Sequence, residues 1–417
     1  MIMTRKNDLN LRKILFFSSN PYIGGTARFF NELASNFMSI TNDNMAFYPM
    51  INCENPSKQF NDDIIVDKIP IKERIVIEKK GNGLFQRIIY KGEKIISFLV
   101  NIYIKHENKK KFIKVFNKYD IDCVVASSGG YPGDRLCYQL LESAQKYGIK
   151  KRILVLHNYP NERIGIISRS KGWLFDRYVD SIADKVITVS FSAKEIIKRV
   201  STLKQDIAVI YNGLEMPEVE IPIAIKRKRL GISGDEFVIG MIGNIIPYKG
   251  QIFFLRMAKQ LLLSGIENIK FLIIGNIIDA SYYNECLAYI RKNNFEDKVI
   301  LKHDIYDAGQ YAECFNLLIV SSVETESFGL ASLEAMMYGK PIIAFNTGGV
   351  AEVIENEKTG FVVERENVVE LVNKVLYLYQ NKNEYRKFQI NSKRRYLSMF
   401  TGKIMAQNYY DFLNNYL

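Results

Sequence analysis

Glu326-Ser327-Phe328-Gly329-Leu330-Ala331-Ser332-Leu333-Glu334 follows the apolar run Leu317–Ser321 and opens a helical pattern that continues to Tyr338. A strand feeding a glycine-containing loop and then a helix is the repeating unit of doubly wound α/β sheets. Gly329 has no side chain, so a ligand can approach the backbone there. The free N–H groups of a first helical turn, helped by the helix dipole, suit phosphate oxygens. Ser327, Phe328, Gly329 and Leu330 are therefore candidate contacts for an anionic ligand. Glu326, in the loop, can accept hydrogen bonds from sugar hydroxyls, and Glu334, on the helix, can hold a ribose diol. Spacing alone leaves open that Glu326 merely caps the helix and that Glu334 lies on the surface.

The same rhythm extends in both directions. Upstream, strands are expected at Lys13–Ser19, Asp122–Ser127, Arg152–His157, Lys185–Ser190 and Ile207–Tyr211, with helices at Thr26–Ser39, Asp134–Tyr147 and Ala193–Ser201. The later half offers strands at Phe237–Gly243, Lys270–Gly275, Val299–Lys302, Leu317–Ser321, Pro341–Phe345 and Gly360–Val363. Its helices fall at Gln251–Ser264, Ser281–Asn293, Leu330–Tyr338 and Val368–Gln380. These strands are Val/Ile/Leu-rich without alternation, as parallel strands buried on both faces are. The pattern lapses near Pro217, Pro222 and Lys226-Arg227-Lys228-Arg229. The sequence thus predicts an α/β protein of two tandem Rossmann-like domains, 1–215 and 231–417, joined by a linker at 216–230. An interdomain cleft would collect loops from the carboxyl ends of both sheets. The last helical pattern, Lys403–Tyr416, could cross back to the first domain.

Composition narrows the function. The 417 residues are 47% hydrophobic and 24% charged, which excludes a mainly disordered chain. Five cysteines, at 53, 123, 137, 286 and 314, lack C-x-x-C spacing, which argues against a disulfide framework and a zinc ribbon. Three histidines, 106, 157 and 303, leave little for a multi-histidine metal centre. Met1–Lys13 has no signal-peptide core, and Ile95–Ile104 is too short to span a bilayer, so a cytoplasmic, soluble or peripheral protein is expected. Of the net charge of +12, Leu84–Lys118 contributes +7, with apolar residues in helical rhythm. This stretch suits either contact with anionic lipid or a solvated basic face on a packed helix. No nucleic-acid recognition motif accompanies it.

No G-x-G-x-x-G follows the first strand and no G-x-x-x-x-G-K-[ST] occurs, so dehydrogenase and P-loop readings lose their support. Asp120-Ile121-Asp122 precedes its strand, at the wrong sheet end for a metal-binding D-x-D. The Glu326–Glu334 segment, with Gly339-Lys340-Pro341 and Thr347-Gly348-Gly349-Val350-Ala351-Glu352, resembles the E-x7-E signature of the retaining GT4 glycosyltransferases, which have the GT-B fold. The resemblance runs from Lys13 to about Val363. Gly24-Gly25 in Pro21–Gly25 looks like that family's glycine-rich loop facing the donor phosphates. His157 matches a histidine near the transferred sugar, Lys249-Gly250 the lysine that binds the diphosphate, and Gly275 the glycine after the next strand. Asn212-Gly213 resembles the turn before the interdomain connection. Asn244 stands where the family commonly has an arginine, so half of the usual cationic clamp is replaced by a neutral donor.

The resemblance implies a hexosyltransferase with Glu326, His157 and Lys249 as catalytic residues. Gly24, Gly25, Asn244, Gly275, Ser327–Leu330 and Glu334 would join Lys249 in holding a nucleoside diphosphate sugar, UDP-linked in preference to GDP-mannose. It implies no metal requirement and no other cofactor. A saccharide or lipid-linked saccharide acceptor is expected, with a place in bacterial surface polysaccharide, capsule or lipopolysaccharide O-antigen biosynthesis. The alternatives are a sugar-nucleotide-binding partner without turnover and a nucleotide-sugar 2-epimerase, which would call for more cleft histidines and carboxylates.

Overall fold

The computed structural model describes residues 11–19, 25–40, 45–51, 67–68, 84–160, 165–217, 221–305 and 307–417. They divide into two compact units. One comprises Met1–Thr188, Lys194–Ile210 and Ala406–Leu417; the other comprises Val189–Ala193 and Tyr211–Met405.

The first unit runs β1 (Arg12–Ser18), α1 (Gly25–Ile40), β2 (Met45–Ile51), β3 (Asp67–Lys68), α2 (Leu84–Tyr119), β4 (Cys123–Ser128), α3 (Arg135–Tyr147), β5 (Lys151–Leu156), α4 (Ile166–Ile182), β6 (Lys185–Thr188), α5 (Phe191–Val200) and β7 (Ile207–Val209). Its sheet has the order β3-β2-β1-β4-β5-β6-β7, every pairing parallel. The direction of winding reverses between β1 and β4, so helices cover both faces. One face packs Leu15, Phe17, Val124 and Leu154 against Phe112 and Phe116 of α2 and Leu140 of α3. On the other face Phe16 meets Phe29, Phe30, Phe47 and Tyr409 at centroid distances of 5.5–6.3 Å. Asp134 caps α3 by accepting from the Leu136 N–H, and Gly148 closes it in a left-handed conformation.

The second unit runs α6 (Ile223–Leu230), β8 (Phe237–Ile242), α7 (Gln251–Leu263), β9 (Ile269–Ile274), α8 (Ala280–Lys292), β10 (Val299–Lys302), β11 (Leu317–Val320), α9 (Leu330–Met337), β12 (Ile342–Phe345), α10 (Val350–Val353), β13 (Gly360–Val363), α11 (Val368–Gln380) and α12 (Lys382–Met399). Its parallel sheet reads β10-β9-β8-β11-β12-β13, again with a switch point, here between β8 and β11. A last helix, α13 (Gly402–Tyr416), gives residues 406–416 to the first unit, where Tyr409 seals the Phe16 face.

The α/β class and the two doubly wound sheets are those the sequence predicts. The boundary differs. The units part between Ile210 and Tyr211, and Val189–Ala193 joins the second unit. Residues 216–230, expected as a linker, carry α6. Lys226 makes that segment structural: it is fully buried and its ammonium lies 2.7 Å from the Glu313 carboxylate, so the basic run is pinned to the second unit.

Candidate functional site

The site in the second unit is built at the switch point between β8 and β11. Beyond β8, the chain turns at Gly243-Asn244 and makes a short helical turn over Pro247–Lys249. Beyond β11, the segment to Glu326 runs alongside it. The two are laced: the Ser321 hydroxyl donates to Gly250 O at 2.9 Å, and the Val323 N–H donates to Tyr248 O at 2.8 Å. The loop after β12 adds a third strap. The Glu326 N–H donates to Thr347 O at 2.6 Å, and the Gly349 N–H donates to Glu326 O at 2.7 Å.

This lacing brings Lys249 and Glu326 together. The ammonium donates to both carboxylate oxygens, the Oε2 contact measuring 2.9 Å, and the side chains are 20% and 15% exposed. The pair is thus reachable from solvent yet dry enough for its charges to act at reduced screening. Beside it, Gly329 caps α9 with φ +87° and no side-chain cap hydrogen bond. That left-handed backbone is cheap only for glycine, which itself brings no side chain over the first turn of α9. Gly275 is required for a different reason: a Cβ there would collide with the Gly243 carbonyl oxygen, so the loops after β8 and β9 touch through bare backbone.

Other expected residues fall differently. Glu334 is 7% exposed on α9. Phe328 is 2% exposed and its ring packs on Tyr211 and Phe400 at 5.7 and 6.0 Å, so the side chain anchors the loop and its backbone is the part left to meet a ligand, as the sequence reading of the first-turn N–H groups has it. Asn244 is exposed, and its carbonyl accepts from the Gln251 side chain at 2.8 Å. Gly25 opens α1, whereas Gly24, with Pro21–Ile23, lies outside the described residues.

His157 belongs to the first unit, just beyond β5. Its Nε2 lies 2.9 Å from the Ser127 hydroxyl, and its ring centroid is 4.3 Å from that of Phe29. Burial drives its pKa down to about 3, so the imidazole is neutral at physiological pH. A neutral ring bonded at one nitrogen can orient a ligand, but it is a poor proton donor. Sequence reasoning gave no role to Ser127, although it stands at the carboxyl end of a predicted strand where such partners gather.

Two further residues escaped the sequence reading. Ser190 donates to Ser327 O at 2.6 Å, fixing the loop between Glu326 and Gly329. The Glu352 carboxylate accepts from the N–H groups of Phe191 and Ser192 at 2.8 and 2.6 Å and from the Tyr211 hydroxyl at 3.1 Å. An acid following Gly348-Gly349 is a visible signal, but its partners lie about 160 residues away.

Two tandem doubly wound sheets of this order make the GT-B fold, the architecture of solved glycosyltransferases. A glycosyltransferase from Rickettsia africae superposes with a TM-score of 0.74 at 20% identity, covering 97% of this chain and 98% of that one. Anabaena HepE, solved with UDP and glucose, gives 0.71 at 18% identity, covering 97% and 100%. Residues 222–395 match the model of the Glycosyl transferases group 1 family. Among similar proteins is an uncharacterized glycosyltransferase of Methanocaldococcus jannaschii, 28% identical over 56% of this chain and 60% of its own length. The capsular polysaccharide biosynthesis glycosyltransferase CapM of Staphylococcus aureus is 24% identical over 59% and 65%. The UDP-Gal:alpha-D-GlcNAc-diphosphoundecaprenol alpha-1,3-galactosyltransferase of Escherichia coli is 27% identical over 50% and 54%. The chain thus spans between about half and two thirds of the length of these curated relatives.

Proposed function

We propose that this chain is a retaining glycosyltransferase that needs no metal. It moves a hexose or N-acetylhexosamine from a nucleoside diphosphate sugar, a UDP-sugar in preference to GDP-mannose, to a saccharide or lipid-linked saccharide. The relatives' roles in capsule and lipid-linked saccharide synthesis support a place in bacterial surface-polysaccharide assembly, on the cytoplasmic side and in peripheral contact with an anionic membrane.

The observation that carries this reading is the Lys249–Glu326 pair held beside the N-terminus of α9, whose cap residue, Gly329, has no side chain. Departure of a nucleoside diphosphate builds negative charge on phosphate oxygens while positive charge builds on the sugar ring. The Lys249 ammonium and the first-turn amides of α9 answer the negative charge; the Glu326 carboxylate answers the positive and holds sugar hydroxyls. Glu334 takes the ribose diol. In a same-face displacement the anomeric bond to the diphosphate breaks as the acceptor oxygen bonds to that carbon, and the acceptor proton passes to the leaving phosphate oxygen. Neutral His157 orients the sugar.

The test is donor hydrolysis across UDP-, GDP- and ADP-sugars with EDTA present. Release of one nucleoside diphosphate is expected, lost at least a hundredfold in Glu326→Ala with the fold intact. Wild-type release by that variant would sink the site assignment. Absence of any donor-induced thermal shift in the wild-type protein would sink the donor class.

A further inference from the structure

α2 is far longer than its sheet needs. Its 36 residues span about 54 Å, whereas strands of six or seven residues span about 20 Å. In a parallel sheet a helix returning to the next strand starts at the carboxyl edge. The surplus of α2 therefore lies beyond the edge where β5 hands over to His157. Burial agrees: Phe112, Val115 and Phe116 are in the core, while residues 93–103 are mostly exposed.

That overhang is not polar. Ile95, Ile96, Phe98, Leu99, Ile102 and Tyr103 are 52–63% exposed. At 100° per residue they fall within about 160° of arc, opposite the side buried at Ser97, Ile104 and Asn108. An outward stripe of six large apolar side chains is the kind of patch a monomer surface rarely leaves to water. Immediately along the helix, residues 105–118 carry six lysines against one glutamate.

α4 repeats the arrangement from the same edge. Ile166 and Ile167 in its first turn are 83% and 73% exposed, and Trp173 and Leu174 follow at 45% and 61%. Arg169 and Lys171 stand among them, the Arg177 guanidinium lies 4.8 Å from the Trp173 ring centroid, and the next acid, Asp176, is fully buried. Among the described residues no helix is long and apolar enough to cross a membrane. Apolar turns flanked by cations are built to lie in an interface, with side chains at the acyl boundary and lysines at the headgroups.

We propose that residues 95–103 of α2 and the N-terminal half of α4 form a two-part insertion surface for an anionic lipid bilayer, placing the carboxyl edge of the first sheet against the membrane. This deepens the peripheral reading above: insertion of named side chains, not charge alone, holds the protein there, and a lipid-linked acceptor would meet that edge.

The chain has one tryptophan, so emission from Trp173 reports on this surface directly. Full-length protein is mixed with phosphatidylcholine vesicles or with phosphatidylcholine–phosphatidylglycerol vesicles, some carrying brominated chains. On the anionic vesicles a blue shift and quenching by the brominated chains are expected; unchanged emission there overturns the proposal. Ile95→Ser/Leu99→Ser/Ile102→Ser, altering only exposed positions, should cut vesicle partition at least tenfold while leaving donor hydrolysis in solution unchanged. Equal partition overturns it, as does a concentration-dependent dimer in sedimentation that the triple variant abolishes, which would assign the stripe to a second copy. Partition needs neither donor nor acceptor, so it stands or falls apart from the transferase reading.

Discussion

His157 shows how much a single burial decides. Its pKa near 3 means that the unfolded chain takes up a proton near pH 6.5 and the folded chain only near 3. Between those values the unfolded state binds more protons, so this residue's full contribution is present above pH 6.5 and declines as pH falls. The expected slope is about 1.4 kcal/mol per pH unit. Urea unfolding at pH 7 and pH 5 should therefore show wild type losing about 2 kcal/mol more than His157→Gln; equal losses would show that this proton does not matter. The motif placed His157 in the sequence, but not its neutrality, because that comes from burial against residues remote in the chain, Phe29 among them. Lys249 and Glu326 differ in kind: each was legible from its own motif, while their contact follows from the lacing of three loops that no motif describes.

Among elements, α5 illustrates dependence on a distant carboxylate. Glu352 holds its first two amides and also the Tyr211 hydroxyl. Glu352→Ala is expected to cost about 1–2 kcal/mol and to speed amide exchange at Phe191 and Ser192; unchanged exchange there would count against the cap. Elements with a clear apolar pattern were readable: β10, β13 and α11 begin and end where the sequence places them. β2 was not, because Pro49 within Met45–Ile51 argues against a strand, and here it is accommodated opposite Phe16. α12 escaped because its eighteen residues bury only Phe388, Ser392 and Tyr396, a stripe too thin to rise above its lysines and arginines. α6 escaped because the residue that fixes it, Lys226, is a cation buried with a carboxylate, against every compositional expectation.

At the scale of the molecule, the first unit is assembled from distant stretches. Tyr409, 1% exposed, touches both Phe16 and Phe29, and among the described residues its buried hydroxyl has no hydrogen-bond partner. Tyr409→Ala should cost about 3–5 kcal/mol, and hydrogen exchange should locate the loss in β1 and α1, leaving the second unit's strands protected. Tyr409→Phe removes the stranded hydroxyl and is expected to be neutral or stabilising by up to about 1 kcal/mol; marked destabilisation would reveal a partner for that oxygen. The order of synthesis gives this architecture a further consequence. A ribosome completes all seven strands of the first sheet, then the whole of the second unit, before it releases the helix that covers Phe16. Throughout that interval the nascent first unit lacks the ring that Tyr409 lays on Phe16 and Phe29, and a chaperone that shields this uncovered aromatic patch would find its client there.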